Sequence, residues 1–126
     1  MEQKFYICET CGNIVTYVKK SGVPVFCCGK KMQEIIPGTS DAATEKHVPV
    51  IAVDGNKVTV SVGSVAHPMV KEHYIEWISI ETKDGNQRKV LVPEDAPMAE
   101  FMLTDTDEVI AAYAYCNLHS LWKSEK

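Results

Sequence analysis

The fold of most of this chain is decided by the stretch HVPVIAVDGNKVTVSV, residues 47–62. Two valine-rich segments, Val48–Val53 and Lys57–Val62, flank the sequence Asp54-Gly55-Asn56, and this combination is typical of a β-hairpin. In the second segment every other residue is a valine and the residues between are polar. The alternation predicts a strand with one buried face.

Similar segments continue towards the C-terminus, and Asp84-Gly85-Asn86 provides another turn signal between two of them. The further strand-like segments are His73–Thr82, Lys89–Val92, Glu100–Leu103 and Glu108–Tyr115. About seven short strands with frequent turns and little helical periodicity predict an antiparallel β-sandwich.

The N-terminal part differs from this pattern. Residues 1–36 hold four cysteines and a net charge of +2 from five lysines and three acidic residues, whereas the rest of the chain carries −6. A segment of ~35 residues cannot bury enough apolar surface to fold without a metal or disulfides. Pro37-Gly38-Thr39-Ser40 then reads as a linker. We therefore expect a small metal-binding domain, residues 1–36, and a β-sandwich domain, residues 37–126.

The four cysteines of the first domain are Cys8, Cys11, Cys27 and Cys28. Their C-x2-C spacing, with Gly12 and Gly29 directly after cysteines, is typical of metal-binding knuckles in zinc ribbons and rubredoxin-like iron sites. Structural zinc is the simplest interpretation of this spacing. The adjacent pair Cys27-Cys28 is unusual for zinc and makes a redox iron a serious competitor, with a disulfide pair as a third option.

A second metal site is indicated in the sandwich domain. The four histidines, His47, His67, His73 and His119, all lie after residue 46, and the remaining cysteine, Cys116, stands three positions before the last of them. Side chains at the rim of a sandwich can converge on one point. Four imidazoles and one thiolate leave one vacancy on a six-coordinate iron. A blue-copper site with a cysteine, two histidines and a methionine (Met69, Met98 or Met102) is the competing interpretation, but it leaves two histidines without a role.

The composition excludes other classes of function. A net charge of −4 argues against nucleic acid as the main partner, and no apolar run approaches the ~20 residues that a membrane span needs. No apolar signal core precedes the first cysteine. We expect a cytoplasmic protein, because clustered cysteines in a reducing compartment more often hold metal than form disulfides.

These motifs together resemble a known family. The pattern C-x2-C…CC, followed in order by E-K-H-V-P, H-P-M, H-Y-I-x-W and C-N-x-H, is similar to desulfoferrodoxin, the two-iron class of superoxide reductase. The resemblance spans essentially the whole chain. One departure is visible: Ser120 follows His119 where the pattern has glycine.

The resemblance implies two irons per chain. Cys8, Cys11, Cys27 and Cys28 would bind a distorted rubredoxin-like iron in a desulforedoxin-like domain. His47, His67, His73 and His119 would be equatorial ligands, and Cys116 the axial ligand, of a catalytic iron in an immunoglobulin-like sandwich. Glu45 would bind the oxidised iron in its resting state, and Lys46 would assist superoxide attraction and proton delivery.

The resemblance also implies superoxide as substrate, a rubredoxin-like electron donor and a homodimer. Two hypotheses from other classes stay open on the sequence alone. One is a non-enzymatic iron electron carrier that uses both metals, and the other is a zinc-ribbon scaffold.

Overall fold

The computed structural model describes residues 2–126, which divide into two compact units with the boundary between Ile36 and Pro37. The first unit holds five strands of two residues each. They are β1 (Tyr6–Ile7), β2 (Ile14–Val15), β3 (Phe26–Cys27), β4 (Lys30–Lys31) and β5 (Gln33–Glu34). Strand β1 pairs antiparallel with both β2 and β5, and β3 pairs antiparallel with β4.

The first unit has a very small core. Tyr6, Cys8 and Met32 are its buried cluster, and Val15 and Tyr17 pack against it only partly buried. Strands this short contribute few ladder hydrogen bonds. Phe5 and Ile35 are buried as well, but five buried side chains at about 1.5–3 kcal/mol each cannot offset the ordering of some 35 residues. Cys8 belongs to the buried cluster and Cys27 packs against it, so a metal held by these thiols would complete the core.

The second unit contains one short helix and seven strands. They are α1 (Thr44–His47), β6 (Pro49–Asp54), β7 (Lys57–Val62), β8 (Ile75–Thr82), β9 (Gly85–Val90), β10 (Met98–Met102), β11 (Val109–Cys116) and β12 (Ser120–Glu125). One antiparallel sheet has the order β10-β7-β6 and the other the order β12-β11-β8-β9. The unit is thus an antiparallel β-sandwich of three strands on four.

The sandwich core is built by alternate residues of the inner strands. In β7 the side chains of Val58, Val60 and Val62 are fully buried while the intervening residues are partly exposed, which confirms the predicted alternation. Ile78 of β8 and Phe101 of β10 join the same cluster. Each such side chain contributes about 1.5–3 kcal/mol by leaving water, so this unit has a hydrophobic core independent of any metal.

The predicted mostly β fold is confirmed, and in residues 2–126 helix is confined to a single four-residue turn. The hairpin predicted at residues 47–62 is present. Asp54 pairs with Lys57, so its loop has two residues rather than the three of Asp54-Gly55-Asn56, and Gly55 adopts a positive φ of 59°. Strand β9 starts at Gly85 rather than at Lys89, because the turn after β8 is tighter than the sequence indicates. Strand β12 and helix α1 were not predicted. No helix of residues 2–126 has both the length and the apolar character that a membrane crossing needs.

Candidate metal centres

The four cysteines of the first unit converge at the ends of its short strands. Cys8 follows β1, and Cys27 lies in β3, whose hairpin brings Cys28 alongside it. The ligand atoms of Cys8, Cys11, Cys27 and Cys28 all lie within 4.8 Å of one another. The Cys11 and Cys27 sulfurs are 3.6 Å apart, which is beyond a bond but suits two ligands of one metal. The chain's five cysteines, all within the described residues, are free thiols, so the disulfide alternative is not supported.

Backbone geometry turns the thiols inward. The N–H of Gly12 donates to the carbonyl of Cys8 at 2.8 Å, which closes the first knuckle, and Gly12 has a φ of 83°. In the second knuckle Cys28 itself has a φ of 52° and Gly29 one of 74°. Positive φ is favoured by glycine and strained for cysteine, so the adjacent cysteine pair is accommodated at some conformational cost.

Thiol acidity differs across this site. A hydrogen bond from the backbone N–H of Cys11 lowers the pKa of the Cys8 thiol to about 6, which favours its thiolate at neutral pH. Hydrogen bonds to the sulfurs of Cys11 and Cys8 raise the pKa of Cys28 to about 12. The Cys8 thiolate is therefore available to a cation, whereas an incoming metal must displace the proton of Cys28.

The second site lies at one end of the sandwich, where strands of both sheets begin or end. His47 directly precedes β6, His67 and His73 lie between β7 and β8, and Cys116 ends β11. Pairing explains the convergence: Pro49 opposes Val62 in one sheet, and Cys116 opposes Ile75 in the other. The ligand atoms of His47, His67, His73 and Cys116 all lie within 4.8 Å of one another.

Hydrogen bonding defines which ring nitrogens are available. Nδ1 of His47 donates to the carbonyl of Ala43 at 2.8 Å, and Nδ1 of His67 donates to that of Pro68 at 2.6 Å. In the neutral tautomers that these bonds require, both Nε2 atoms carry lone pairs. They nevertheless face each other at 3.2 Å, and both rings are only 3% exposed. Two buried lone pairs in this position need a cation between or beside them.

His73 points to the same conclusion. Its Nε2 is a buried atom without a hydrogen-bond partner among the described residues. Burial and the neighbouring imidazoles lower the pKa of His73, and burial lowers those of His47 and, to about 4, His67. All three rings are therefore neutral at physiological pH, the form in which imidazole binds metal.

His119 lies beside this group rather than within it. Its ring centroid is 5.0 Å from that of His47 and 5.1 Å from that of His73. Its Nδ1 is 3.8 Å from the sulfur of Cys116. The structure thus gathers three histidines and the cysteine tightly and places the fourth predicted histidine at their edge, with Nδ1 towards the thiol.

Cys116 is the buried member of the set, with no exposed surface. Burial raises the pKa of its thiol, whereas the backbone N–H groups of Leu118 and His119 act in the opposite direction by hydrogen bonding to the sulfur. Such donors stabilise a thiolate once a metal has displaced its proton.

The donor chemistry separates the candidate metals. A blue-copper site would need one methionine, Met69, Met98 or Met102, at the group. The Met69 sulfur accepts the N–H of Ile75 at 3.3 Å, and Met102 has 65% of its surface exposed. Met98 is the first residue of β10 and is half-buried. Several imidazoles around one thiolate fit iron, which accepts nitrogen and sulfur donors together.

Glu45 and Lys46 lie on α1, directly before His47, and both side chains are exposed. The charge of Lys46 contributes to the lowered pKa of both His47 and His73, so its field reaches the site. The carbonyl of Glu45 accepts the N–H of Val65 at 2.9 Å, and this bond connects α1 to the loop after β7.

Two supporting residues were not predicted. Trp122 of β12 packs its ring 5.0 Å from that of His47 and donates its indole N–H to the carbonyl of His119 at 2.9 Å. Asn117 follows Cys116 and bonds to the segment around His73. The sequence marks Asn117 only as the second letter of the C-N-x-H motif, and Trp122 belongs to the strand that was not predicted.

Comparison with known proteins agrees with these two sites. The sequence model of the family described as Desulfoferrodoxin matches residues 39–125. A desulfoferrodoxin of Nitratidesulfovibrio vulgaris is 48% identical over 124 residues, covering 98% of this chain and 97% of the relative. The crystal structure of the superoxide reductase from Treponema pallidum superposes with a TM-score of 0.84 at 41% identity, covering 99% of this chain and all of the other.

A structure named superoxide reductase (1Fe-SOR) from Giardia intestinalis is 33% identical, with a TM-score of 0.55. It covers 65% of this chain and 97% of its own. Fold, donor sets and relatives together define an iron-binding oxidoreductase with a four-thiolate site and a histidine–thiolate site. The chain belongs to the desulfoferrodoxin family and has the two iron sites of that family.

Proposed function

We propose that the chain is a superoxide reductase, which reduces superoxide by one electron to hydrogen peroxide at a mononuclear non-haem iron in the second unit. In this reaction superoxide takes up one electron and two protons, and an external donor is oxidised by one electron. The observation that carries the proposal is the group of His47, His67, His73 and Cys116, whose ligand atoms lie within 4.8 Å of one another at the rim of the sandwich.

In this proposal the ligands of the catalytic iron are His47, His67, His73, His119 and Cys116, and those of the first iron are the four cysteines of the N-terminal unit. Held by these histidines and Cys116, iron would supply the one electron that superoxide takes up. A thiolate ligand adds electron density to its metal, as it does in thiolate-ligated haem. The fixed Nδ1 bonds of His47 and His67 hold their Nε2 lone pairs towards one point, so little reorganisation accompanies the change of charge.

Lys46 attracts the anionic substrate. The second unit carries a net charge of −6 by the sequence, which repels an anion, and Lys46 is an exposed cation whose charge acts on His47 and His73. A local positive charge of this kind raises the association rate of an anion in a salt-dependent way. Lys46 would also deliver protons to the product.

Replacing Lys46 with alanine tests this role. The rate of reaction with superoxide, measured by pulse radiolysis, should be lower for Lys46→Ala than for the parent chain. Its dependence on ionic strength should also be weaker. Lys57→Ala is the matched control, because Lys57 is an exposed lysine at the far end of the β6–β7 hairpin. A parental rate with a parental salt slope in Lys46→Ala would remove Lys46 from the mechanism.

Glu45 would be a ligand of the oxidised iron in its resting state. Its backbone carbonyl accepts the N–H of Val65, and its side chain is exposed. Glu45→Ala should leave turnover largely intact and change the visible spectrum of the oxidised protein. An unchanged oxidised spectrum would exclude Glu45 as a ligand.

The donor is a rubredoxin-like protein, and the working form is a homodimer in the cytoplasm. The lysine pairs Lys19-Lys20 and Lys30-Lys31 are exposed on the first unit, whose net charge is positive, and they suit an acidic donor. The second pair stands on β4, opposite Phe26 and Cys27 of β3.

Superoxide consumption by the iron-loaded chain decides between this function and a non-enzymatic electron carrier. A superoxide reductase forms one hydrogen peroxide for each superoxide and oxidises one equivalent of donor. Reversible oxidation and reduction of both irons without superoxide consumption would establish the carrier instead. Metal analysis in the same preparation should give two irons per chain.

A further inference from the structure

The pairing of β8 with β11, which brings His73 next to Cys116, is irregular at the end of the ladder where these two residues lie. Between β8 and β11 the register shifts after the Trp77–Tyr115 pair, and Cys116 then opposes Ile75. A bulge of this kind re-aims the residues beyond it and ends regular pairing. Beyond it, the β8–β11 ladder contains the single pair Cys116–Ile75, and His73 lies further out still.

Asn117 continues the ladder past the bulge. Its backbone N–H donates to the carbonyl of Tyr74 at 3.2 Å, and its side-chain oxygen accepts the N–H of Tyr74 at 2.9 Å. Its side-chain nitrogen donates to the carbonyl of Glu72 at 3.1 Å. The two residues that flank His73 in the chain are therefore both bonded to one side chain.

The other backbone bonds of this segment do not provide that link. His73 and Val70 exchange two bonds of 3.0 Å, but both residues belong to the loop between β7 and β8, so these bonds do not connect the loop to β11. Asn117 sits on the turn between Cys116 and His119. It thus connects the turn that carries one thiol and one imidazole to the segment that carries another imidazole.

We infer that Asn117 is a positioning residue for the second iron site, which sets the distance of His73 from Cys116 and His119 without binding the metal itself. Bonding to both the N–H of Tyr74 and the carbonyl of Glu72 requires an acceptor and a donor at the end of one short side chain, and a carboxamide supplies both. Aspartate keeps the acceptor for Tyr74 but loses the donor for Glu72. Leucine has the same branched skeleton of four side-chain heavy atoms and neither group. The inference rests on the proposed ligand set.

The experiment compares Asn117→Leu, Asn117→Asp and the control Asn56→Leu in the iron-loaded full chain. Asn56 also joins two loops distant in sequence, with its side-chain nitrogen 2.6 Å from Asp105, but it lies in the β6–β7 turn at the end of the hairpin remote from His47. Two quantities are measured: retention of ferrous iron against a chelator, and the electron paramagnetic resonance spectrum of the oxidised second site. The four-cysteine iron of the same chain is the internal reference.

Asn117→Leu should weaken iron retention at the second site about 10- to 100-fold, the usual effect of losing a supporting partner of a metal ligand, and change its resonance spectrum. Asn117→Asp should show a smaller loss, and Asn56→Leu none. Iron retention at the four-cysteine site should be parental throughout. Parental retention and a parental spectrum in Asn117→Leu would overturn the inference.

A purely structural role is recognised separately. If Asn117→Leu and Asn56→Leu lower the thermal midpoint and iron retention equally, Asn117 merely stabilises the fold and the inference is wrong. Should Asn117→Leu fail to fold, Asn117→Asp decides, because parental retention there excludes the link to Glu72. A chain that holds two irons but leaves superoxide unreduced refutes the proposed function and leaves this inference intact, since neither readout depends on turnover.

Discussion

The two metal sites of this chain are built in opposite ways. In the first unit the thiols lie in or next to strands of two residues, and Cys11 and Cys28 are exposed. In the second unit the ligands stand at the ends of strands of six to eight residues, and Cys116 is fully buried. One site substitutes for a hydrophobic core, and the other is attached to a core that exists without it.

The difference in burial and support limits what each site can do. A four-thiolate site with two exposed cysteines on a small unit is accessible to a donor protein but depends on its metal for structure. A buried histidine–thiolate site on a rigid sandwich keeps its geometry when the charge of the metal changes. Stability and chemistry are therefore separable in this chain, and each of the following predictions tests that separation.

Removing metal should have the largest effect, and it should be confined to the first unit. Metal binding contributes on the order of 10 kcal/mol to folding in small metal-dependent domains. After chelation, or in Cys28→Ser, backbone amides of residues 2–36 should lose protection from hydrogen exchange, while β7, β8 and β11 stay protected. Thr10→Ser, between Cys8 and Cys11 in the first knuckle, is the control and should exchange like the parent. Protected amides in both units of the metal-free chain would show that the first unit has a sufficient core of its own.

Replacing Cys116 with serine should produce the reverse pattern. Its volume changes little, so the sandwich should stay folded by circular dichroism, while the superoxide reductase rate should fall by more than about 100-fold, the upper end of what a supporting partner costs. The iron of the first unit should be retained. A near-parental superoxide reductase rate in Cys116→Ser would contradict the proposed role of the thiolate.

Acid should act on the second site through its imidazoles. In the metal-free chain, burial holds the pKa of His67 at about 4, and those of His47 and His73 are lowered too, whereas unfolded imidazoles titrate near pH 6.5. As the pH falls below about 6.5 the unfolded state binds protons first, so stability of the sandwich should decline from there down to about pH 4. Denaturant unfolding of the metal-free chain at pH values from 7.5 to 4 measures this decline as a fall in the midpoint concentration.

His67→Gln serves as the control for that titration, because glutamine cannot take up the proton. Its midpoints should depend less on pH between 6.5 and 4 than those of the metal-free parent. Equal slopes in the two chains would mean that His67 is not the group responsible.

The sequence predicts the sandwich well and the supports of its metal site poorly. The hairpin of residues 47–62 was recognisable because its valines alternate and its turn contains Gly55. The segment Ser120–Glu125 was missed because its two apolar residues, Leu121 and Trp122, are adjacent and do not alternate with polar ones. Helix α1 is a single turn, too short for any periodicity.

The contacts of Asn117 depend on residues more than 40 positions away, and no local pattern records them. The histidines were identified as a set because they are so few and because the motifs around them are specific. Their tautomers and the 3.2 Å approach of His47 to His67 required coordinates. Residue types that bind metal are thus visible in sequence, whereas the hydrogen bonds that aim them are tertiary properties.

The smallest predicted effect concerns the turn after His119. In the first unit Gly12 and Gly29 supply positive φ beside the cysteines, but in the second unit Ser120 adopts a φ of 64°. A residue with a Cβ in this conformation costs about 1 kcal/mol relative to glycine, so Ser120→Gly should stabilise the sandwich by up to about 1 kcal/mol, or raise its thermal midpoint by up to about 4–8 °C. Ser120→Ala keeps the Cβ and should show no gain. If glycine and alanine behave alike, the backbone at Ser120 is unstrained, and the two sites do not differ in how their turns are accommodated.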